Sequence, residues 1–169
     1  FRATLTFPAY VSGAVAGVAG RDREFLCRGA ALPGSTIGNT PVNYRGRVVN
    51  FGGERTFTPW TVTIYNDTSF AIRDALEIWQ NGINNVVTNR GRQFPSEYLV
   101  DLRIDHLDRN DDVLKSYLIK DAYPTNIGEI ALDFGTNDAI AEFTCEFTYQ
   151  FFESVGGRFG GNVTADTTA

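Results

Sequence analysis

Glu142-Phe143-Thr144-Cys145-Glu146-Phe147-Thr148-Tyr149-Gln150-Phe151 changes character at every residue. Phe143, Cys145, Phe147, Tyr149 and Phe151 fall on one side, and Glu142, Thr144, Glu146, Thr148 and Gln150 on the other. A period of two marks an extended strand, because successive side chains of a strand point to opposite faces. The aromatic face is core material. The opposite face holds no large apolar group, so it meets water, either as a solvated surface or as the wall of a passage formed when copies assemble.

The strand is expected over residues 140–152, paired with 127–134 around the turn Gly135-Thr136-Asn137-Asp138. Further upstream, 98–107 and 113–122 form a hairpin around the polar run 108–112. Residues 56–65 set Trp60, Val62 and Ile64 on one face, another strand. Asn66 and Asp67 then offer N-cap oxygens. Ile72, Leu76, Trp79 and Ile83 recur at i, i+4, i+7 and i+11, which predicts a helix over 68–80 stopped by Asn81-Gly82. Residues 40–53 read as a long hairpin arm with Val42, Tyr44 and Val48 around Gly46. It carries Arg45 and Arg47, with no acid between 41 and 53. Residues 25–32 make a strand ended by Pro33-Gly34, and Phe1, Ala3, Leu5 and Phe7 alternate as the first strand. Between them, 9–20 is broken by Gly13, Gly17 and Gly20 and suits a loop better than a signal-peptide core.

Seven or eight strands and one helix give a mainly β fold, a small barrel or sandwich of two packed antiparallel sheets with one flanking helix. The domain is expected over 1–153, followed by a glycine-rich extension over 154–169. With 169 residues, 43% hydrophobic and a net charge of -5, the chain is one globular domain, not a disordered segment. No run approaches the roughly 20 apolar residues of a membrane-spanning helix. With no methionine, the numbering begins downstream of an initiator.

Charge is distributed unevenly. Residues 101–153 hold twelve acids against four bases, and the remainder eight acids against eleven bases. Neither part clusters Lys and Arg into the basic face that gripping nucleic acid requires. Cys27 and Cys145 lie among apolar neighbours without metal-ligand spacing and read as reduced, buried thiols of a chain assembled in cytoplasm. The lone histidine, His106, has no serine in a nucleophile-elbow motif to serve. In the run from Asp108, a calcium loop would need glycine where Val113 stands and glutamate where Ile119 stands. No glycine run matches a dinucleotide or P-loop pattern. The sequons at Asn66 and Asn162 carry no weight without a secretion signal. No catalytic residue, cofactor or metal is expected.

Three stretches carry a resemblance. Phe25-Leu-Cys-Arg-Gly-Ala-Ala-Leu-Pro33 is followed by Arg55-Thr-Phe57-Thr-Pro-Trp60-Thr-Val-Thr-Ile-Tyr-Asn66-Asp67, and then by Tyr123-Pro124-Thr125-Asn126-Ile-Gly128-Glu129-Ile-Ala-Leu-Asp-Phe134. In order and spacing they resemble the tail tube protein of T-even-type contractile-tailed bacteriophages, with the resemblance running over about 25–153. The extra length lies in 12–20 and after 153. The resemblance implies a structural virion protein, not an enzyme, whose hexameric rings stack helically into the inner tube of a tail. In that family four strands per subunit join around the ring into one inner barrel, closing edges that would otherwise invite stray pairing.

The implied neighbours are other copies of the chain, tail sheath protein, tape-measure protein, baseplate and terminator proteins, and double-stranded DNA passing without sequence recognition. The implied location is the virion tail, assembled in the host cytoplasm. On this reading Glu142, Thr144, Glu146, Thr148 and Gln150 face the lumen. Val42, Tyr44, Arg45, Arg47 and Val48 on the arm reach the adjacent ring, where the two arginines meet acids. Two other readings stand beside it: the tube of a type VI or phage-derived injection system carrying protein effectors, and a monomeric β-barrel that binds a ligand.

Overall fold

The computed structural model describes residues 1–14, 27–131 and 140–156. In chain order these form β1 (Arg2–Thr4), α1 (Ala9–Ala14), β2 (Cys27–Ala30), β3 (Ser35–Tyr44), β4 (Arg47–Phe57), β5 (Trp60–Tyr65), α2 (Ala71–Ile83), a 3₁₀ turn (Pro95–Glu97), β6 (Val100–Leu107), β7 (Val113–Ile127), β8 (Glu142–Thr148) and β9 (Phe151–Val155). One seven-stranded antiparallel sheet follows the order β1-β6-β7-β8-β5-β2, with β9 also pairing β7. β3 and β4 form a separate two-stranded ribbon. The sheet curls so that its two ends, β1 and β2, approach one another, and α2 packs against β7. The expected β-barrel with a flanking helix is the fold observed.

β7 makes the curl possible. Its first part pairs β6 and β9, and its last five residues pair β8. Between them Asp121 sits at φ 53 and the register shifts, as at a bulge that bends a strand between two layers. The Asp101 carboxylate accepts the Asp121 backbone N–H at 3.2 Å and the Lys120 ammonium at 2.7 Å, which satisfies the groups the bulge exposes.

Inside the curl lie Trp60, Val62 and Ile64 of β5, Phe143, Cys145 and Phe147 of β8, Leu102 and Ile104 of β6, and Ile72, Leu76 and Trp79 of α2, all buried. Each large apolar side chain so buried contributes about 1.5–3 kcal/mol. Phe147 stands 5.7 Å from the Trp60 ring and 6.0 Å from Trp79, within the range of favourable aromatic pairing. Both indoles keep a partner: Trp60 Nε1 donates to Ala31 O and Trp79 Nε1 to Tyr98 O.

Several boundaries differ from the sequence reading, each for a local reason. The helix runs over Ala71–Ile83, not 68–80. Phe70 occupies the N-cap in a left-handed conformation with no side-chain cap, and the Asn66 N–H is taken by Ala141 O. Gly82 does not stop the helix. A Cβ there would lie 2.6 Å from the Tyr10 ring, so glycine admits α1 against α2. α1 itself falls in the stretch read as a loop; Tyr10 donates to Trp79 O at 3.0 Å, and Arg92 stacks 3.8 Å from its ring centroid.

Ala substituted at Gly82 gains about 1 kcal/mol of helix propensity. It should nonetheless lower stability by about 1–3 kcal/mol through overpacking. Thermal unfolding of Gly82→Ala decides which effect wins.

The terminal strand predicted over 140–152 splits at Tyr149-Gln150. The Gln150 N–H bonds Lys120 O, and the chain crosses from β8 to β9, leaving Phe151 exposed instead of on the buried face. Its expected partner over 127–134 is instead the end of β7, which continues unbroken from 113 to 127; residues 128–131 are not strand, and 132–139 lie outside the described residues. Ser154 and Val155 belong to β9 and not to an extension; residues 157–169 lie outside the described residues. The second strand is Cys27–Ala30, with 25 and 26 also outside them, and the arm spans 35–57, longer than 40–53.

Candidate functional site

Two surfaces face away from the core. The first is the outer face of β2, β5, β8 and the end of β7. Burial alternates along β8, with Phe143, Cys145 and Phe147 inside and Glu142, Thr144, Glu146 and Thr148 outside. Register aligns Tyr65 with Glu142, Thr63 with Thr144 and Thr61 with Glu146 across β5. Asn126 aligns with Glu146 and Tyr123 with Thr148 across β7. Thr125 donates to Glu146 O at 3.2 Å, and Thr148 donates to the Thr125 hydroxyl. Gln150 lies past the end of β8 in the bend.

Sequence reasoning missed Arg28. A register shift between Cys27 and Gly29 makes it the extra residue of a bulge, and its guanidinium pairs with Glu142. That hydrogen bond, with the charge behind it, raises the Arg28 pKa. Among the described residues of these strands the face is therefore threonine-rich, with Glu146 its one charge outside an ion pair, less acidic than the strand alone suggested. No long-range signal in the sequence joins residues 28 and 142. Among the described residues the face also ends in two open edges: β2 is paired only by β5, and residues 123–127 only by β8.

The second surface is the β3–β4 arm, in which every residue but Val49 and Phe57 is exposed. Arg45 at φ 47 and Gly46 at φ 83 form the two-residue turn, flanked by the pair Tyr44 and Arg47. Register places Thr40, Val42, Tyr44, Arg47, Val49 and Phe51 on one side, and Asn39, Pro41, Asn43, Val48, Asn50 and Gly52 on the other. Val48, expected to act with Val42 and Tyr44, thus lies on the opposite, asparagine-rich side. Tyr44 is 53% and Phe51 56% exposed. A Cβ on Gly53 would meet Thr40 Oγ1 at 3.0 Å and Gly38 O at 3.2 Å, so the ribbon closes tightly at its base.

The motif residues hold these surfaces in place. Phe57 packs 5.8 Å from Tyr149 and 5.7 Å from Phe152, anchoring the arm, while Arg55 lies opposite Ile37 at its base. Asp67 accepts from Ser69 and, through its carbonyl, from the Phe70 N–H. Pro124 is buried, and Thr125 and Asn126 lie on the outer face. Gly128 donates to Thr144 O at 2.7 Å and accepts from Arg73 at 3.0 Å; a Cβ there would come 2.6 Å from Thr144 Oγ1. Glu129 is exposed beside it.

His106 pairs with Lys115 across the β6–β7 ladder, and among the described residues no His, Cys, Asp and Glu side chains gather into a metal site. Among the described residues no helix is long and apolar enough to cross a membrane. Burial pushes the Cys27 thiol up to about 11 and raises Cys145 further, since a thiolate loses solvation there. At pH 8 Cys27 is then held almost wholly as the thiol. Both cysteines should resist a disulfide reagent in the folded chain and react together once it is unfolded in urea.

The phage tail tube protein family matches residues 1–154. The tail tube protein of Serratia phage KSP90 is 32% identical over 158 residues, covering 94% of this chain and 86% of that protein. Tail tube protein gp19 of Enterobacteria phage T4 is 33% identical over 138 residues, covering 79% and 83%. A solved chain from the sheath/tube terminator of an extracellular contractile injection system superposes with a TM-score of 0.60 at 14% identity, covering 77% and 85%, a likeness of fold. The chain belongs to the phage tail tube protein family and is a structural tube subunit.

Proposed function

We propose that this chain forms hexameric rings that stack into the inner tube of a contractile phage tail, with the outer face of β2, β5, β8 and β7 lining the lumen. The observation that carries the reading is a four-strand face bearing Thr61, Thr63, Thr144, Glu146 and Thr148, opposite a fully apolar core face. The open edges at 27–30 and 123–127 suit neighbours in a ring, where main-chain pairing gives a stiffness that surface ion pairs of about 0–1 kcal/mol each do not.

A conduit for DNA must confine a polyanion without holding it. With Arg28 neutralised by Glu142, Glu146 leaves about -1 per chain, or about -6 per hexameric ring, on this face. Screening confines that field to about 8–10 Å, so the wall repels phosphate only at close approach. Likeness to phage proteins supports genome over protein effectors as the cargo. The arm reaches the adjacent ring, where Arg45 and Arg47 meet acids. Sheath, baseplate and terminator are the expected neighbours outside and at the ends, and tape-measure protein precedes DNA inside. Electron microscopy of the purified chain tests the reading: rings or tubes with Thr144 and Glu146 on the inner wall are expected, and a persistent monomer, or those residues on the outer wall, would overturn it.

A further inference from the structure

α2 and the end of β7 enclose a groove of about 1140 Å³. Half-buried Ile78 and Ile83 and buried Pro124 give it an apolar floor beside polar Gln80 and Asn81, exposed Val86 stands at its edge, and Asp74 and Glu77 also line it. The acids and part of the floor come from one helix stripe, since 74 lies three and four residues before 77 and 78, and these lie four and three before 81. Val86 is 84% exposed and is held in that position, its N–H bonded to the Asn81 side chain while Asn85 ties down the turn behind it. Asp74 has no ion-pair partner among the described residues, and Glu77 pairs only with Arg73 on its own helix.

The arm is the complement of this groove in both respects. Its apolar side offers Val42, Tyr44 and Val49, and its tip offers two guanidiniums with no acid partner among the described residues: Arg45, stacked 5.4 Å over the Tyr44 ring, and Arg47. Cation and apolar contact together match a surface of acid and apolar floor. Among the described residues both edges of the ribbon lack a strand partner, which leaves it dependent on another surface for cover.

We infer that the arm tip of one copy docks in the α2–β7 groove of a second copy, with Tyr44 and Val42 on the floor and Arg45 and Arg47 at Asp74 and Glu77. This rests on the reading that the arm reaches an adjacent ring, and it names the surface that receives it.

The test is a charge exchange in the full-length chain, read as the concentration needed for tube growth. Arg45→Glu with Arg47→Glu, and separately Asp74→Lys with Glu77→Lys, should each raise that concentration at least about tenfold by placing like charges together. Carrying all four substitutions should bring it back to near that of the parent. Independently, in a chain with Cys27→Ser, Arg47→Cys together with Asp74→Cys should yield disulfide-linked oligomers under oxidation, while neither single variant does; the remaining Cys145 is buried.

If the arm exchange blocks growth while the groove exchange does not, or the four substitutions together fail to restore it and no cross-link forms, the arm still reaches the next ring but the groove is not its acceptor. If the arm exchange leaves growth unchanged, the arm-to-ring reading falls with it. A groove variant that grows normal tubes but no longer recruits sheath would assign the groove to the sheath instead.

Discussion

A chain whose residues 40–51 are replaced by Asn-Gly should fold normally and fail to form tubes. The replacement joins Asn39 to Gly52, which already face each other, through the dipeptide favoured for two-residue hairpin turns. The residues removed bury almost nothing within the chain: all but Val49 are exposed. Phe57, which anchors the ribbon against Tyr149 and Phe152, is kept. Stability should therefore stay within about 1 kcal/mol of the parent, as expected for surface changes that touch no core contact. Assembly should fall at least about a hundredfold, because aromatic and arginine side chains are the kinds that dominate interface energies. Circular dichroism during heating checks the first half and electron microscopy the second. Parent-like tubes from the shortened chain would remove the arm from assembly.

Making the proposed wall basic is the second large effect. Thr144→Lys with Glu146→Lys changes the outer face by +3 per chain, from about -1 to +2, or about +12 per hexameric ring. Both side chains point away from the core, so the fold should tolerate the pair. DNA moving through would meet rings of ammonium groups, release counterions and bind. Several phosphate contacts per protein give nonspecific dissociation constants of about 10⁻⁴–10⁻⁶ M, and the tube repeats them at every level. Particles should assemble, yet triggered DNA release in vitro should slow at least about a hundredfold at 50 mM salt and recover steeply by about 200 mM, where such contacts lose orders of magnitude. Release that ignores both the substitutions and the salt would mean that DNA never nears this face.

Much of this was legible in the chain. Alternation in β5, β6 and β8 gave strands and faces together, because a buried sheet face forces a period of two on the sequence. The helix was legible from Ile72, Leu76 and Trp79, but its ends were not: they depend on a left-handed Phe70 and on Tyr10 packing against Gly82, contacts between residues far apart in sequence. The split between β8 and β9 was hidden for a similar reason. Tyr149 and Phe151 continue the alternation, and only the hydrogen bond from Gln150 to Lys120 turns the chain. On the polar face, Glu142 was visible as a charge and invisible as half of an ion pair, since the bulge that aims Arg28 leaves little trace in the local pattern. The arm was the clearest element, its turn set by local residues, though its reach was underestimated because the ladder continues past Gly52-Gly53 to Phe57.

The free-standing ribbon also sets a clock. Its ladder zips from the Tyr44–Arg47 pair and needs nothing distant, so it should form in about 1–10 μs, as isolated hairpins do. The last stitch of the body is of another kind: Arg2 must find Asp105 across most of the chain, and contacts so distant are slow to close. The α2–β7 groove also waits on contacts distant in sequence, because it exists only after α2 has settled on β7. A newly made subunit thus carries its plug almost at once and its socket only when folding is nearly complete. On the docking proposed above, a subunit still folding cannot yet receive an arm, so a tube end that presents arms would add only finished subunits.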